Sequence, residues 1–450
     1  MNVHFISIGG SAMHNLALAL HEKGETVTGS DDAIFEPSKS RLEEKGLLPR
    51  SLGWFPVKIH SDLNAIILGM HAKADNPELL KAQELGLKIY SYPEFLYEHA
   101  KNKTRVVIGG SHGKTTITSM ILHVLKYHNI EVDFMVGAQL EGFDRMVHLT
   151  HDNEIMILEG DEYLSSPIDL RPKFHLYKAN IALISGIAWD HINVFPTFDN
   201  YVDQFRIFTD TIVKGGMMVY NEEDPEVKKV VENAGNEIKR YPYGTPNYMI
   251  ENGKTLLETL EGPIPLEVFG EHNLQNLEGA RSICFHLGVG EEDFYEAIAD
   301  FKGASKRLEK IVENESTVIY KDFAHSPSKV EATTKAVKEQ YPDRKLLACL
   351  ELHTYSSLNE NFLKEYLGAL DQADEAVVFY SPHAVKIKRL KEVSAGQIAK
   401  AFQRHDLIIY TDPKEFKDFL FQKDLKNTAV LLMSSGNYGG LDFEELKSLL

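Results

Sequence analysis

The chain has 450 residues, of which 43% are hydrophobic and 25% charged, the balance of an ordinary water-soluble globular protein. Its formal net charge of -18 argues against non-specific nucleic-acid binding, which depends on basic surface. No apolar run reaches the length of a membrane span, and no signal-peptide pattern opens the chain. We therefore expect a cytoplasmic protein without nucleic-acid or membrane partners. Its two cysteines, Cys284 and Cys349, lie in apolar stretches and are expected to be buried, unreactive thiols.

Short apolar strands alternate with longer helical patterns almost throughout the chain, which is typical of parallel sheets covered by helices. We predict an α/β fold with three domains. A Rossmann-like N-terminal domain is expected over 1–102. A glycine-rich loop that contains a lysine, Gly110–Thr116, predicts a P-loop-type central ATPase domain over 103–303. A C-terminal domain over 304–450 is expected to resemble a dinucleotide fold.

The first predicted domain opens with a strand over 3–8 that runs into the glycine turn Gly9-Gly10-Ser11. This turn is similar to a Rossmann loop but lacks its full glycine spacing. The residues alone allow a nucleotide-binding turn or a glycine required only for close helix–strand contact. Asp31 ends the second predicted strand, where a carboxylate could bind a ribose hydroxyl.

The strongest motif is the lysine loop, Gly110–Thr116, which follows a strand predicted over 105–110. Backbone N–H groups of such a glycine turn surround phosphate oxygens, and the next helix presents its N-terminus to the anion. Lys114 would add positive charge and Thr115 a hydroxyl for Mg²⁺. The strict P-loop pattern has a glycine where Ile108 stands, and a structural turn with the same letters is the alternative.

Potential metal ligands follow two further strands of the central region. The acidic stretch Glu159–Glu162 follows a strand predicted over 155–158, and Asp190-His191 follows one predicted over 181–184. Carboxylate oxygens are ligands that Mg²⁺ accepts, and an imidazole can also bind metals. Acidic loops are usually only solvated, but two such loops after strands of a P-loop domain favour a functional role.

Three motifs of the third region follow strands or the domain boundary. Arg307 belongs either to a charged hinge face or to a side chain that reaches ATP across a cleft. The loop Asp322–His325 follows a strand and is either a helix cap with its turn or a ligand-binding loop. The glycine turn over 434–440 allows backbone approach to a ligand or simple chain reversal.

In this order the motifs resemble those of the Mur ligase family, the ATP-dependent amide-forming enzymes of peptidoglycan synthesis. The resemblance covers the whole chain. It rests on the loop G-T-H-G-K-T-T with Ser111 for threonine, on E-A-D-E at Glu159–Glu162, on D-H at Asp190-His191, and on G-x-H-N-x-x-N at Gly270–Asn276. The family pattern N-x-E-x-D-H lacks its asparagine and glutamate here, where Gly186 and Ala188 stand.

Two branches of the family bind UDP-N-acetylmuramate itself. The resemblance favours the murein peptide ligase branch, which attaches the recycled peptide L-alanyl-γ-D-glutamyl-meso-diaminopimelate, on details such as Asp161–Tyr163 and Asp322–His325. The alternative is the L-alanine-adding branch, whose P-H-R-Y resembles Leu352–Tyr355. A third hypothesis, motivated by the missing glutamate at 188, is a nucleotide-binding regulator that has lost catalysis.

The resemblance implies that the carboxylate of UDP-N-acetylmuramate takes the γ-phosphate of ATP and that an amine then displaces phosphate from this acyl phosphate. Implied catalytic residues are Lys114, Glu159 and His191, and implied Mg²⁺ ligands are Thr115, Glu159 and His191. Implied ATP contacts are Gly110, Ser111, His112, Gly113, Lys114, Thr115, Thr116, Asn276, Arg307, Asp322 and His325, and implied UDP-sugar contacts are Gly10, Ser11 and Asp31. No carbamylated lysine is expected, the acceptor is a small amino acid or peptide, and the protein is expected to be a monomer or weak homodimer.

Overall fold

The computed structural model describes residues 1–140, 142–251, 253–304, 307–388, 390–391 and 393–450. The chain packs as two compact units. The first comprises 1–110, 125–187 and 202–242, and the second comprises 111–124, 188–201 and 243–450.

A four-stranded parallel sheet forms the N-terminal part of the first unit, with the strand order β2-β1-β3-β4. Its strands are β1 (Asn2–Ile6), β2 (Thr26–Ser30), β3 (Ala65–Leu68) and β4 (Ile89–Ser91), and its helices are α1 (Ser11–Glu22), α2 (Ser38–Glu44), α3 (Pro77–Glu84) and α4 (Tyr92–Ala100). Local capping chemistry begins two of these helices. Asn76 accepts the first free N–H groups of α3, and Ser91 forms a capping box with Glu94 at the start of α4.

A larger sheet follows in the first unit, with the order β13-β12-β11-β5-β8-β6-β7. Its strands are β5 (Thr104–Gly109), β6 (Asp133–Met135), β7 (Val147–His148), β8 (Ile155–Glu159), β11 (Ile181–Ile184), β12 (Met217–Asn221) and β13 (Lys239–Tyr243), and β9 (Leu164–Ser166) pairs separately with β10 (Asp169–Pro172). Helices α6 (Lys173–Leu176) and α8 (Pro225–Glu232) belong to the first unit. Helices α5 (Lys114–Tyr127) and α7 (Phe198–Asp210) are each divided, with 114–124 and 198–201 in the second unit and the remainder in the first. The central strand β5 is parallel to both neighbours, β8 and β11, and is buried along most of its length. Buried apolar strands of this kind are expected where helices cover both faces of a parallel sheet.

The second unit contains a small antiparallel sheet of β14 (Tyr248–Glu251), β15 (Lys254–Thr259) and β16 (Gly262–Leu266). Two helices follow, α9 (Glu271–His286) and α10 (Glu291–Ile298). Gly288 adopts a left-handed backbone (φ +93°), which ends α9, and α10 begins after Gly290.

The C-terminal part of the second unit is built on a six-stranded sheet with the order β17-β18-β22-β19-β20-β21. Its strands are β17 (Glu309–Glu313), β18 (Thr317–Asp322), β19 (Lys345–Leu352), β20 (Glu375–Tyr380), β21 (Ile408–Tyr410) and β22 (Thr428–Met433), and its helices are α11 (Pro327–Gln340), α12 (Pro382–Ile387), α13 (Ala395–Phe402) and α14 (Pro413–Gln422). Only β17 pairs antiparallel; the other neighbours are parallel. Two apolar clusters form its core. One includes Tyr366 and Phe402, and the other includes Phe379 and Phe416.

The predicted α/β fold class is confirmed, because parallel sheets with covering helices build both units. The domain boundaries at 102/103 and 303/304 stay predictions. Both Cys284 and Cys349 are fully buried, as expected, and burial raises the pKa of each thiol. Among the residues that the structure describes, no helix is long and apolar enough to cross a membrane.

Candidate functional site

The lysine loop has the strand–loop–helix context that the sequence predicts. Strand β5 ends at Gly109, and α5 begins at Lys114. Gly110 (φ +136°) and Gly113 (φ +78°) adopt backbone conformations that favour glycine, which lets the loop turn sharply. The carbonyl of Gly113 accepts the N–H of Ile117 at 2.9 Å, so the first helical turn forms directly after the loop.

The side chains of this loop are largely buried. Ser111, Thr115 and Thr116 are 3%, 7% and 6% exposed. The Ser111 hydroxyl accepts the backbone N–H of Ala188 at 2.7 Å, which ties the loop to the residue two positions before Asp190. Within the second unit the structure thus connects the lysine loop to the loop that carries the D-H motif.

Glu159 is the last residue of β8, beside β5, and its register partner is Ile108. Its side chain is buried, and its Oε2 accepts the N–H of Gly137 at 2.8 Å. A Cβ atom at position 137 would come within 3.0 Å of the Glu159 Oε1, so the glycine lets the backbone approach the carboxylate. The structure therefore places Glu159 at the carboxyl end of a central strand, as predicted, in a well-defined orientation.

The D-H motif is held in an unusual backbone conformation. His191 has a left-handed backbone (φ +55°), which a non-glycine residue rarely adopts without compensation. The Asp190 Oδ1 accepts the N–H of His191 at 2.7 Å. Burial favours the protonated form of Asp190, but the charges of Lys329, His191 and His325 outweigh it and lower the pKa of Asp190 to about 2. Asp190 is therefore an anion at neutral pH.

Asp322 is the last residue of β18 and is buried, and His325 lies three residues further on in a half-buried position. The Asp322 carboxylate accepts the N–H of Leu308 and the N–H of Ala324, both at 2.6 Å, while burial raises its pKa. The His325 Nδ1 lies 2.8 Å from the carbonyl of Phe323, and burial lowers the pKa of the imidazole to about 4. Because a carbonyl only accepts, the neutral ring carries its proton on Nδ1.

Arg307 packs its guanidinium over the Phe323 ring, 4.9 Å from the centroid. A cleft in the second unit brings this arginine together with Thr116 of the lysine loop. Its walls also include Phe269, Asn273 and Lys302, among other residues. The predicted ATP residue Asn276 is buried elsewhere on α9 and is not among the residues that line this cleft.

Two residues that line this cleft, Asn273 and Lys302, are not among the ATP-binding residues predicted from the sequence. Asn273 stands inside the quoted motif Gly270–Asn276, so its motif membership could have found it. It donates to the Phe269 carbonyl at 2.9 Å and thereby closes the first turn of α9. Lys302 carries no local sequence signal, because it follows α10 in a stretch without a recognised motif.

The N-terminal turn is organised by Asp31. Its Oδ2 accepts the N–H of Gly9 at 2.7 Å, and its Oδ1 accepts the N–H of Asp32 at 2.9 Å. Burial raises the pKa of this carboxyl more strongly than these bonds lower it. Gly10 precedes α1 and Ser11 begins it. The structure therefore gives Asp31 a bracing role in the turn, beside the ribose contact predicted for it.

Among the described residues, no group of three or more histidine, cysteine, aspartate or glutamate side chains is arranged as a preformed metal cluster. The predicted Mg²⁺ ligands are Thr115, Glu159 and His191. Because Thr115 is not one of these four residue types, the finding does not test this set, which stays a prediction.

Three family models match the chain in succession. They are the Mur ligase family catalytic domain over residues 2–104, the Mur ligase middle domain over 108–284, and the Mur ligase glutamate ligase domain over 306–436. The chain is 29% identical to the UDP-N-acetylmuramate--L-alanine ligase of Carboxydothermus hydrogenoformans, over 99% of this chain and 96% of the relative. It is 32% identical to the enzyme of that name from Caldicellulosiruptor bescii, over 83% and 82%.

Two solved structures share the fold over the whole chain. The UDP-N-acetylmuramate-alanine ligase of Thermotoga maritima has a TM-score of 0.70 at 19% identity, covering 100% of this chain and 98% of that one. The murein peptide ligase of Psychrobacter arcticus has a TM-score of 0.66 at 20% identity, with the same coverage.

The three α/β domains and the lysine loop define an ATP-dependent ligase that forms amide bonds. The chain belongs to the Mur ligase family.

Proposed function

We propose that this chain joins L-alanine to the carboxylate of UDP-N-acetylmuramate and that the reaction converts ATP to ADP and phosphate. This proposal rests on one observation: the relatives from Carboxydothermus hydrogenoformans and Caldicellulosiruptor bescii, which match most of the chain, are L-alanine ligases by name. The peptide acceptor that the sequence motifs favoured becomes the second candidate. It retains support from the loop Asp322–His325 and from the fold shared with a murein peptide ligase.

In the first step, a carboxylate oxygen of the sugar nucleotide bonds to the γ-phosphorus of ATP, and the bond to the ADP oxygen breaks. In the second, the acceptor amine bonds to the carbonyl carbon, and inorganic phosphate leaves while the amine loses a proton. Protein assistance in phosphoryl transfer is chiefly positioning and charge neutralisation. Lys114 would neutralise charge on the transferred phosphate, and the N-terminus of α5 would present its N–H groups to it.

Thr116 and Arg307 line one cleft of the second unit, which supports their proposed role in binding ATP. In the same cleft, Asn273 and Lys302 extend the set of side chains that we expect to contact the nucleotide. Asp322 already binds two backbone N–H groups. We therefore expect it to position Leu308 and the nearby arginine at least as much as to touch a ribose.

The donor chemistry of the proposed metal ligands agrees with Mg²⁺. Thr115 offers a hydroxyl oxygen and Glu159 a carboxylate whose orientation is fixed by Gly137. His191 would complete the set with an imidazole. Bound Mg²⁺ would offset negative charge on the phosphates. The chain's own contribution would be to orient these side chains before ATP arrives.

The test is an ADP-release assay with UDP-N-acetylmuramate, ATP and Mg²⁺, in which the acceptor is either L-alanine or L-alanyl-γ-D-glutamyl-meso-diaminopimelate. The proposal expects L-alanine to support turnover and the peptide to support little. Faster turnover with the peptide than with L-alanine would instead support the second candidate, a peptide ligase. Binding of ATP and UDP-sugar without ADP from either acceptor would instead identify a non-catalytic regulator.

Lys114→Ala serves as the variant that connects this activity to the lysine loop. We expect it to lower the rate of ADP release at least about a hundredfold, the range seen when one preorganised charge-stabilising group is removed. Lys126→Ala, in the last turn of the same helix, is the matched control. Retained turnover in Lys114→Ala would contradict the proposed mechanism.

A further inference from the structure

Lys329 lies in the first turn of α11, where a cation is electrostatically disfavoured. The backbone N–H groups at a helix N-terminus carry partial positive charge, so a lysine there needs an anionic partner nearby. Its ammonium lies 3.7 Å from the Asp190 Oδ2, and the two side chains are only 18% and 11% exposed. Attraction between charges so shielded from water is stronger than at an exposed surface.

The two carboxylate oxygens of Asp190 face different groups. Oδ2 faces Lys329, whereas Oδ1 accepts the backbone N–H of His191. The carbonyl of His191 is held as well, because it accepts the N–H groups of Val194 and Phe195 at 2.8 and 2.9 Å. Both sides of the left-handed residue are thus fixed by hydrogen bonds, and Asp190 provides one of them.

The residue before Asp190 is anchored to the same part of the second unit. Trp189 donates its indole N–H to the Phe195 carbonyl at 3.0 Å, and its ring packs edge-on against Phe362 at 6.0 Å. Apolar contacts of Trp189 and Ile192 and the ion pair between Asp190 and Lys329 therefore attach the D-H loop to the C-terminal sheet region. The ion pair acts on Asp190, the residue whose carboxylate accepts the N–H of His191.

We propose that Lys329 is a positioning residue that, through Asp190, fixes the backbone of His191 and so orients its imidazole for Mg²⁺. This inference rests on the proposed function, because His191 is a metal ligand only there. In this role Lys329 acts through Asp190 and is assigned no contact of its own with substrate or metal. Outer partners of metal ligands commonly contribute strongly to affinity by fixing the ligand's direction.

The experiment measures Mn²⁺ binding in the presence of a non-hydrolysable ATP analogue, by electron paramagnetic resonance, on the full-length chain. Lys329→Met keeps the length of the side chain and removes its charge, and we expect it to weaken Mn²⁺ binding about tenfold. Lys329→Arg should restore most of the affinity. Lys335→Met is the matched control, since Lys335 lies on the same helix and pairs with Glu271 at the surface.

Asp190→Asn is a second, independent variant. It keeps an oxygen acceptor for the His191 N–H but removes the charge that faces Lys329. If the two residues act through each other, the double variant should bind Mn²⁺ about as weakly as either single variant, whereas independent effects would add. Additive losses, or unchanged Mn²⁺ affinity in Lys329→Met, would overturn the inference.

The outcome also separates this inference from the proposed function. A wild-type chain that releases no ADP, but whose Mn²⁺ affinity falls in Lys329→Met and not in Lys335→Met, refutes the ligase proposal and retains the positioning role. The opposite result is also possible: the wild type has L-alanine ligase activity, and Lys329→Met binds Mn²⁺ normally and needs no more Mg²⁺ for turnover. That result would refute the positioning role alone.

Discussion

The Ser111 hydroxyl oxygen accepts a hydrogen bond from the backbone N–H of Ala188, with an N···O distance of 2.7 Å. The two residues stand at the positions where the chain departs from the family's loop threonine and from its glutamate. Residue 188 therefore contributes a backbone group in a fixed place, although its side chain has no charge. The contact gives the lysine loop and the D-H loop a common support.

Ser111→Ala should loosen the D-H loop, because the half-buried Ala188 N–H loses its acceptor. We expect a cost of about 1 kcal/mol, which corresponds to roughly fivefold faster amide exchange at Ala188. Hydrogen–deuterium exchange of the peptide that covers 186–195 measures this effect. Ser111→Thr retains a hydroxyl and should exchange like the wild type; equally fast exchange in both variants would contradict the explanation.

Glu159→Gln preserves the shape of the side chain and an acceptor for the Gly137 N–H, but removes the negative charge. We expect the Mg²⁺ concentration for half-maximal ADP release to rise about tenfold, while binding of UDP-N-acetylmuramate stays unchanged. A Mg²⁺ titration of the initial rate provides the measurement. Glu154→Gln is the control, because Glu154 is exposed and precedes β8 at its opposite end.

Asp133 should contribute stability that is lost in acid. Burial alone would raise its pKa, but hydrogen bonds from His99 and Lys103, with Thr150, lower it from 3.8 to about 2. Because the pKa of Asp133 is lower in the folded state than in the unfolded state, its charge stabilises the fold at pH values above the unfolded-state pKa. This stabilisation is lost as the pH falls from about 4 toward the folded-state pKa. The contribution is on the order of 2 kcal/mol, at about 1.4 kcal/mol per pH unit.

The measurement is the urea midpoint of wild type and Asp133→Asn between about pH 6 and pH 3. The gap between the two proteins should narrow on the acid side, because only the wild type loses the charged Asp133. Asp152→Asn, at an exposed position two residues after Thr150, should show a constant gap. A gap between wild type and Asp133→Asn that widens in acid would have the wrong sign for this explanation.

Gly270→Ala should be strongly destabilising. Residue 270 has a φ of +88°, and a Cβ atom there would lie 2.4 Å from the Cβ of Ala336. Backbone strain and overpacking together should cost about 3 kcal/mol or more, seen as a lower thermal midpoint in calorimetry. Gly235→Ala, where a Cβ meets open space, is the control. Ala336→Gly in the Gly270→Ala background should recover the steric part only.

Sequence patterns predicted the strands and the lysine loop well, because apolar runs and glycine turns are local signals. The strand predicted over 105–110 is observed over Thr104–Gly109, and a helix follows the loop as predicted. Contacts between distant residues, such as Lys329 with Asp190, leave no such local signal.

The aspartates show a second limit of the sequence. Asp31 follows a strand and Asp322 ends one. The sequence allows a ribose contact for Asp31, and for the Asp322 loop either a ligand contact or a helix cap with its turn. In the structure each carboxylate is already bound to backbone N–H groups. Side-chain partners of this kind depend on how the following loop folds back, which the residue pattern does not specify.

The burial of both thiols has a practical consequence for following domain motion. Cys284 and Cys349 are the chain's two cysteines, and neither exposes its sulfur to reagents. A cysteine introduced at an exposed position would therefore be modified selectively by a fluorophore or spin label in the native protein. One label on each compact unit would report any change in the distance between the labels when ATP or the sugar nucleotide is added, without removal of the natural cysteines.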